Sequence, residues 1–232
     1  MQKIETLKTK ISGHTNLDIL DILSSLKEEK LTFSTSLGYE DQVITHYIST
    51  KEINSTLFSL DTGRLFPETY SVLQTTLEKY KKSIQIYFPD TKSIENLITE
   101  KGPLSFYESV ENRKECCTIR KVEPLKRALK GYTIWITGIR KEQSQDRENI
   151  SQIEWDSHNE IIKVHPLLYW TFEEVKNYIK ENKIPYNSLH DKGFISIGCQ
   201  PCTRSVKEGE DFRAGRWWWE DATKKECGLH FK

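Results

Sequence analysis

Short apolar runs of strand length alternate with amphipathic helical segments over most of the chain, and this alternation narrows the fold more than any other feature. Leu17, Ile19, Leu20, Leu23 and Leu26 recur at helical spacing and predict a helix over about 16–29. LTFSTS, ending at Gly38, predicts a short strand, and EDQVITHYIST a helix with acidic residues in its first turn. TLFSLDTG reads as a second buried strand. PETYSVLQTTLEKYKK reads as an amphipathic helix entered at Pro67, where the ring's fixed φ suits a first helical turn. SIQIYF is a third strand, followed by helices over about 91–100 and 116–129, with GYTIWITG as a fourth strand. QIEWD and IIKVHPL predict a hairpin across SHNE, and TFEEVKNYIKEN a further amphipathic helix ending near Pro185. Alternation on this scale argues for an α/β fold, a mostly parallel sheet with helices on both faces. From about residue 187 the periodicity stops, and a segment rich in Gly, Cys, Arg and Trp follows, with the character of a functional tail.

The length of 232 residues suits one core with an appended segment. Lys+Arg and Asp+Glu both number 34, a balance that argues against a general polyanion binder such as a nucleic-acid protein but leaves room for a local basic pocket. No apolar run approaches the ~20 residues needed to span a bilayer. The opening MQKIETLKTKISGH lacks the apolar centre of a signal peptide. The expectation is a cytoplasmic protein without membrane contact, and in a reducing compartment its five cysteines need a purpose other than structural disulfides.

Cys116 and Cys117 are adjacent, Cys199 and Cys202 form C-Q-P-C, and Cys227 stands alone near the C-terminus. Two pairs from distant segments suggest a four-thiolate site, for which zinc and an iron–sulfur cluster are the candidates. Adjacent side chains on a helix diverge by about 100°. That is awkward for one tetrahedral ion and natural for a cluster whose irons are separated, so the pair favours iron–sulfur. The plainer alternative is that Cys116 and Cys117 are small buried hydrophobes. Arg120 and Lys121 follow the pair; they could offset thiolate charge and hold an anion, or form a solvated helix face.

With these residues in view, the chain resembles the phosphoadenylyl/adenylyl-sulfate reductase family, and within it the cluster-containing adenylyl-sulfate branch. The resemblance rests on S-L-G-Y-E-D at 36–41, L-D-T-G-R-L-F-P-E-T-Y at 60–70 and C-C-T-I-R-K-V-E-P-L-K-R-A-L at 116–129. It continues through T-G-I-R at 137–140, G-C-Q-P-C-T-R at 198–204, A-G-R-W-W-W at 214–219 and K-K-E-C-G-L-H at 224–230. It implies a PP-loop (adenine nucleotide α-hydrolase-like) domain over 1–190. Over 191–232 it implies a C-terminal segment with the C-x-x-C, an Arg-rich loop and a catalytic Cys tail. It implies that Cys116, Cys117, Cys199 and Cys202 ligate a [4Fe-4S] cluster. It also implies thioredoxin-dependent reduction of adenosine 5′-phosphosulfate to sulfite and AMP, within sulfate assimilation and cysteine biosynthesis. Many relatives carry a smaller residue where this chain has Tyr39.

The implied chemistry suits the residues. The substrate's sulfur is electrophilic and AMP is a good leaving group. Cys227 is the cysteine outside the metal set, and cations nearby lower a thiol pKa from its free value of ~8.5. Attack by Cys227 would give an S-sulfonate, which a dithiol donor then cleaves. The family pattern makes Lys121 and His230 catalytic partners of Cys227, and carries over Lys121, Arg213, Arg216 and His230 as phosphosulfate contacts. Ser36 and Gly38 lie at a strand end before a helix, and Asp61, Thr62, Gly63 and Arg64 follow the second strand. In open α/β sheets ligands bind at such carboxyl ends. The tryptophans at 217–219 are read as an anchor for the tail rather than as an interaction patch, and the tail as a lid that closes on substrate. His14, His46, His158, His165 and His190 are taken as structural. Three alternatives stay open: a reductase for the 3′-phosphorylated nucleotide or for both, a PP-loop sulfur-transfer enzyme, and a non-catalytic zinc-stabilised module. A dimer or tetramer fits base rates.

Overall fold

The structure, a computed structural model, describes residues 2–14, 16–144, 147 and 149–220. Fourteen elements follow in chain order: α1 (Gln2–Lys10), α2 (Ile19–Ser24), β1 (Leu31–Ser34), α3 (Tyr39–Thr50), β2 (Ser55–Leu60), α4 (Pro67–Tyr80), β3 (Ile84–Tyr87), α5 (Thr91–Lys101), α6 (Val110–Cys117), α7 (Glu123–Leu129), β4 (Ile134–Ile136), β5 (Ile153–Asp156), β6 (Ile161–Val164) and α8 (Phe172–Glu181). One six-stranded sheet runs in the order β3-β2-β1-β4-β6-β5. β1 pairs in parallel with β2 and β4, β4 in parallel with β6, and β5 antiparallel to β6. Consecutive residues of β1 and β4 are buried, Leu31, Thr32 and Phe33 in one and Ile134, Trp135 and Ile136 in the other. Burial of both side-chain parities means that both faces of the central strands are covered. The mostly parallel α/β fold read from the alternation is therefore the observed one, and the hairpin across SHNE is its antiparallel edge.

Three local readings change. The helix expected over about 16–29 is only Ile19–Ser24. Beyond Leu26 the run K-E-E-K offers no apolar residue to bury, and Ser25 turns its hydroxyl back onto the Ile22 carbonyl. A first helix, Gln2–Lys10, was not anticipated. The helix expected over 116–129 starts earlier, at Val110, where the Ser109 hydroxyl accepts from the Asn112 N–H. It is then interrupted by a π-helical turn at Thr118–Val122 before α7. After residue 187 only short 3-10 turns at Ser188–Lys192 and Gln200–Cys202 occur among the described residues.

The chain gathers into two compact units. The first comprises Met1–Ser59, Glu68–Gln85 and Gly131–Ser188, and the second Leu60–Pro67, Ile86–Lys130 and Leu189–Lys232. An aliphatic core fills the first, with Ile19, Leu20 and Leu23 of α2, Phe33 of β1, Val43, Ile44 and Ile48 of α3, and Val175 and Ile179 of α8. A smaller cluster of Leu97, Phe106, Cys116, Cys199, Cys202 and Trp217 centres the second.

Candidate active site

In the first unit the strand order reverses between β1 and β4, the place where open α/β sheets bind ligands. The loops leaving these strands carry Ser36 to Asp41 and Thr137 to Arg140. Both the backbone N–H and the hydroxyl of Ser36 donate to Asp41 Oδ2, each at 2.6 Å. Leu37 takes a left-handed conformation, φ 63°, while its own N–H donates to Thr35 Oγ1 at 3.1 Å. Gly38 begins α3. A side chain at Gly138 would collide with the Asp41 carboxylate, so only glycine lets the β4 loop come this close. Burial, reinforced by Glu40, pushes the Asp41 carboxyl up to about 6, while the Ser36 hydrogen bonds pull it the other way. Arg140, fully buried, donates to Glu40 Oε1 (2.8 Å) and Glu142 Oε2 (2.7 Å). Ser36 hence keeps only its lone pairs for a ligand, as an acceptor. The Asp41 and Arg140 supports were not identified from sequence, although both lie inside motifs that were.

In the second unit the two cysteine pairs meet. Cys116 and Cys117 end α6, and Cys199 and Cys202 flank the 3-10 turn at Gln200–Cys202. Cys116, Cys199 and Cys202 are buried and Cys117 half-buried, all four free thiols. They line one cavity, open in part to solvent, together with Arg64, Phe106, Arg113, Arg120 and Lys121. The turn is held on several sides. The Cys202 N–H donates to the Cys199 carbonyl (2.9 Å), Gln200 N–H to the Arg64 carbonyl (2.8 Å) and Tyr107 hydroxyl to the Pro201 carbonyl (2.6 Å). The Cys199 thiol reaches Thr62 Oγ1 at 3.3 Å, and Arg120 Nη1 donates to the Thr62 carbonyl at 2.6 Å. The L-D-T-G-R loop is thereby fastened to the cysteines, with Asp61 Oδ1 accepting from the Gly63 N–H at 2.8 Å.

Burial pushes the Cys202 thiol up to about 12, with Cys199 adding to the rise and Lys121 and Arg216 opposing it. Burial raises Cys116 as well, against Arg120 and Arg64. Buried sulfurs of this kind ionise when a metal replaces the proton, and four cationic side chains on the same wall would offset the charge of a thiolate set. Four sulfurs lining one cavity beside cationic side chains are the donor chemistry that an iron–sulfur cluster takes.

Arg213 and Arg216 gather on Trp217, their guanidinium carbons 6.0 and 4.7 Å from its ring centre. Arg216 presses against Gly198, where a Cβ would strike its guanidinium, so glycine beside the C-x-x-C makes room for that charge. Trp217 is buried, in keeping with an anchoring role; Trp218 stays exposed. Of the residues expected to act on substrate, Asp61, Thr62, Gly63, Arg64, Lys121, Arg213 and Arg216 belong to the second unit with the cysteines, and Ser36 and Gly38 to the first. Cys227 and His230 lie outside the described residues.

Residues 30–205 match the phosphoadenosine phosphosulfate reductase domain. The chain belongs to this family. A protein of Allochromatium vinosum named adenosine 5′-phosphosulfate reductase is 45% identical over 213 residues, 91% of this chain and 83% of that protein. The crystal structure of a phosphoadenylyl-sulfate reductase from Candida auris, a phosphate complex, superposes with a TM-score of 0.74 at 31% identity, covering 89% of this chain and 97% of that one. The FMN adenylyltransferase of Candida glabrata shares the fold alone, with a TM-score of 0.54 at 17% identity over 89% of this chain and 69% of that one. The α/β reading and the family reading thus agree with what the chain is similar to.

Proposed function

We propose that this family member reduces adenosine 5′-phosphosulfate to sulfite and AMP by way of a sulfonated Cys227, with a dithiol protein such as thioredoxin as reductant. The observation that carries the reading is the meeting of Cys116, Cys117, Cys199 and Cys202 in one cavity walled by Arg64, Arg113, Arg120 and Lys121. Relatives at 44–45% identity bearing the adenosine 5′-phosphosulfate reductase name support the choice of nucleotide.

Cys116, Cys117, Cys199 and Cys202 would hold a [4Fe-4S] cluster, which when bound supplies a fixed electrostatic environment beside the substrate anion. The remaining steps belong to the chain. Arg64 and Lys121, on the cavity wall, are suited to a phosphosulfate oxygen, the former through a planar fork and the latter as a point charge. Arg213 and Arg216 add cationic charge near Trp217. Ser36, its proton committed to Asp41, would accept from a hydroxyl or amine of the nucleoside, while Gly38 lets α3 begin there without a side chain in the way. The Cys227 thiolate attacks the sulfur, the S–O bond to phosphate breaks, and AMP leaves with the electron pair. Lys121 and His230 would neutralise charge that builds on the anion as this happens. One thiol of the reductant then attacks the Cys227 sulfur and releases sulfite. The second thiol resolves the mixed disulfide, so the reductant ends as a disulfide and Cys227 as a thiol.

No helix among the described residues is long and apolar enough to cross a membrane. The test is anaerobic sulfite release with thioredoxin, comparing the two nucleotides at equal low concentration, with iron and sulfide content measured on the same preparation. Preference for adenosine 5′-phosphosulfate, lost in Cys227→Ser, is the expected result. Preference for the 3′-phosphorylated form would transfer the substrate assignment and keep the mechanism. Full activity in Cys227→Ser would overturn the mechanism.

A further inference from the structure

The cluster site is assembled from two cysteine pairs far apart in sequence, so something must hold the helix carrying one pair to the turn carrying the other. The stretch from Gly215 to Glu220 does this. At one end it is laced to the C-x-x-C. Arg204 N–H donates to the Gly215 carbonyl at 2.9 Å, Thr203 and Arg216 form an isolated antiparallel bridge, and Trp217 N–H donates to the Cys202 carbonyl at 3.2 Å. At the other end Glu220 meets Arg113, which sits on α6 one turn before Cys116. Arg113 Nε donates to Glu220 Oε1 at 2.9 Å and Nη2 to Oε2 at 2.7 Å, a two-pronged pair. Both side chains are out of solvent, at 1% and 3% exposure. The Arg113 guanidinium also lies 4.8 Å from the ring centre of Trp217, a buried residue held at φ 41°.

A buried ion pair of this kind adds little net stability, since desolvation offsets most of the attraction, yet removing one partner leaves an expensive lone charge. What the pair does supply is direction: two parallel hydrogen bonds admit one orientation of the two chains. Arg113 is at the same time part of the cysteine cavity wall. Resting on the cluster-containing reductase reading above, we propose that Arg113 and Glu220 are a positioning pair that fixes the spacing of the two cysteine pairs. Neither residue touches the reacting atoms in this role.

The experiment uses the full-length holoprotein, anaerobically purified, in three forms: wild type, Glu220→Gln and the double variant Arg113→Met/Glu220→Leu. Two properties are read: the decay of the charge-transfer absorbance in the presence of an iron chelator, and the thermal unfolding midpoint. Loss of an orienting partner outside the ligand shell is expected to speed cluster decay about 10–100-fold in both variants. The double variant, with no lone charge left, is expected to unfold near the wild-type midpoint. That contrast separates positioning from stability. A double variant that keeps the wild-type decay rate would reduce the pair to packing and overturn the proposal. Wild-type protein without iron would instead overturn the reductase reading and this proposal with it, whereas an iron-replete wild type beside an indifferent Glu220→Gln overturns the clasp alone.

Discussion

Ile19, Leu20, Phe33, Ile44 and Val164 fill the interior of the first unit, around a ladder of parallel strands. In the second unit the same kind of place is taken by three cysteines, Phe106 and Trp217, with the guanidiniums of Arg113 and Arg120 also out of solvent. Aliphatic burial is non-directional and is worth about 1.5–3 kcal/mol per large side chain, so the first interior holds together from its own chain alone. Thiols and guanidiniums gain from burial only when each is matched by a partner of the right kind. The second interior is therefore conditional on each buried charge keeping its partner and on whatever the four sulfurs bind. One interior is closed by aliphatic packing, the other by matched charges around the cysteine pairs.

The sharpest way to break that contrast is to remove a sulfur. Cys202→Ser should strip the iron and lower sulfite release by at least about 100-fold, since losing a ligand exceeds the 10–100-fold cost of losing an outer partner. Far-ultraviolet circular dichroism should nonetheless keep the wild-type amplitude of the sheet. Collapse of that signal would mean that the first unit is not self-sufficient. Phe33→Ala, at the fully buried centre of β1, should cost about 3–5 kcal/mol in denaturant unfolding while leaving the iron content of folded protein unchanged.

Asp41 gives a pH-dependent version of the same comparison. Its carboxyl takes a proton at about 6 in the folded chain and at 3.8 in its ordinary environment. The folded state thus binds the extra proton between those values, and stability from this group falls as pH rises from 4 to 6. Asp41→Asn cannot ionise and still accepts from Ser36. Its midpoint relative to wild type should climb by roughly 6–12 °C across that window and stay level above it; a difference that is flat from pH 4 to 8 would show that Asp41 is ionised throughout. Smallest of all, Ser109→Ala removes the cap of α6 at a cost of about 1 kcal/mol. Because that helix belongs to the second unit, the effect should register as faster cluster decay under chelator, with the unfolding of the sheet unmoved.

The contrast also explains what could be read from the sequence. Strands β1, β2, β4 and β6 announce themselves as short apolar runs of strand length, and helices α3, α4 and α8 because burial of one face imposes a period of 3.6 on the residues. The cysteines were legible for a different reason, their rarity and pairing. Arg113 and Glu220 were not, because partners 107 residues apart leave no spacing signal and because E-N-R-K-E-C-C buries an arginine and a cysteine where an ordinary helix would bury leucine. Ser36 was picked out as a ligand contact. That its proton is already given to Asp41 could come only from geometry, as could the tight approach of Gly138 to that carboxylate.

The π-helical turn at Thr118–Val122 has a consequence for the side chains on either side of it. Such a turn carries a residue more than its α counterpart, and each residue along a helix advances the azimuth by about 100°. Were the same five residues wound as α-helix instead, segments 110–117 and 123–129 would run as a single regular rod. Cys116 and Cys117 would then point away by roughly 100° relative to Leu125, Ala128 and Leu129, which are buried. The irregular turn works as a vernier between two sets of side chains that share an axis but need different bearings. Regular winding would give a smoother helix and lose that aim, so the irregular turn itself sets the bearing of the cysteines.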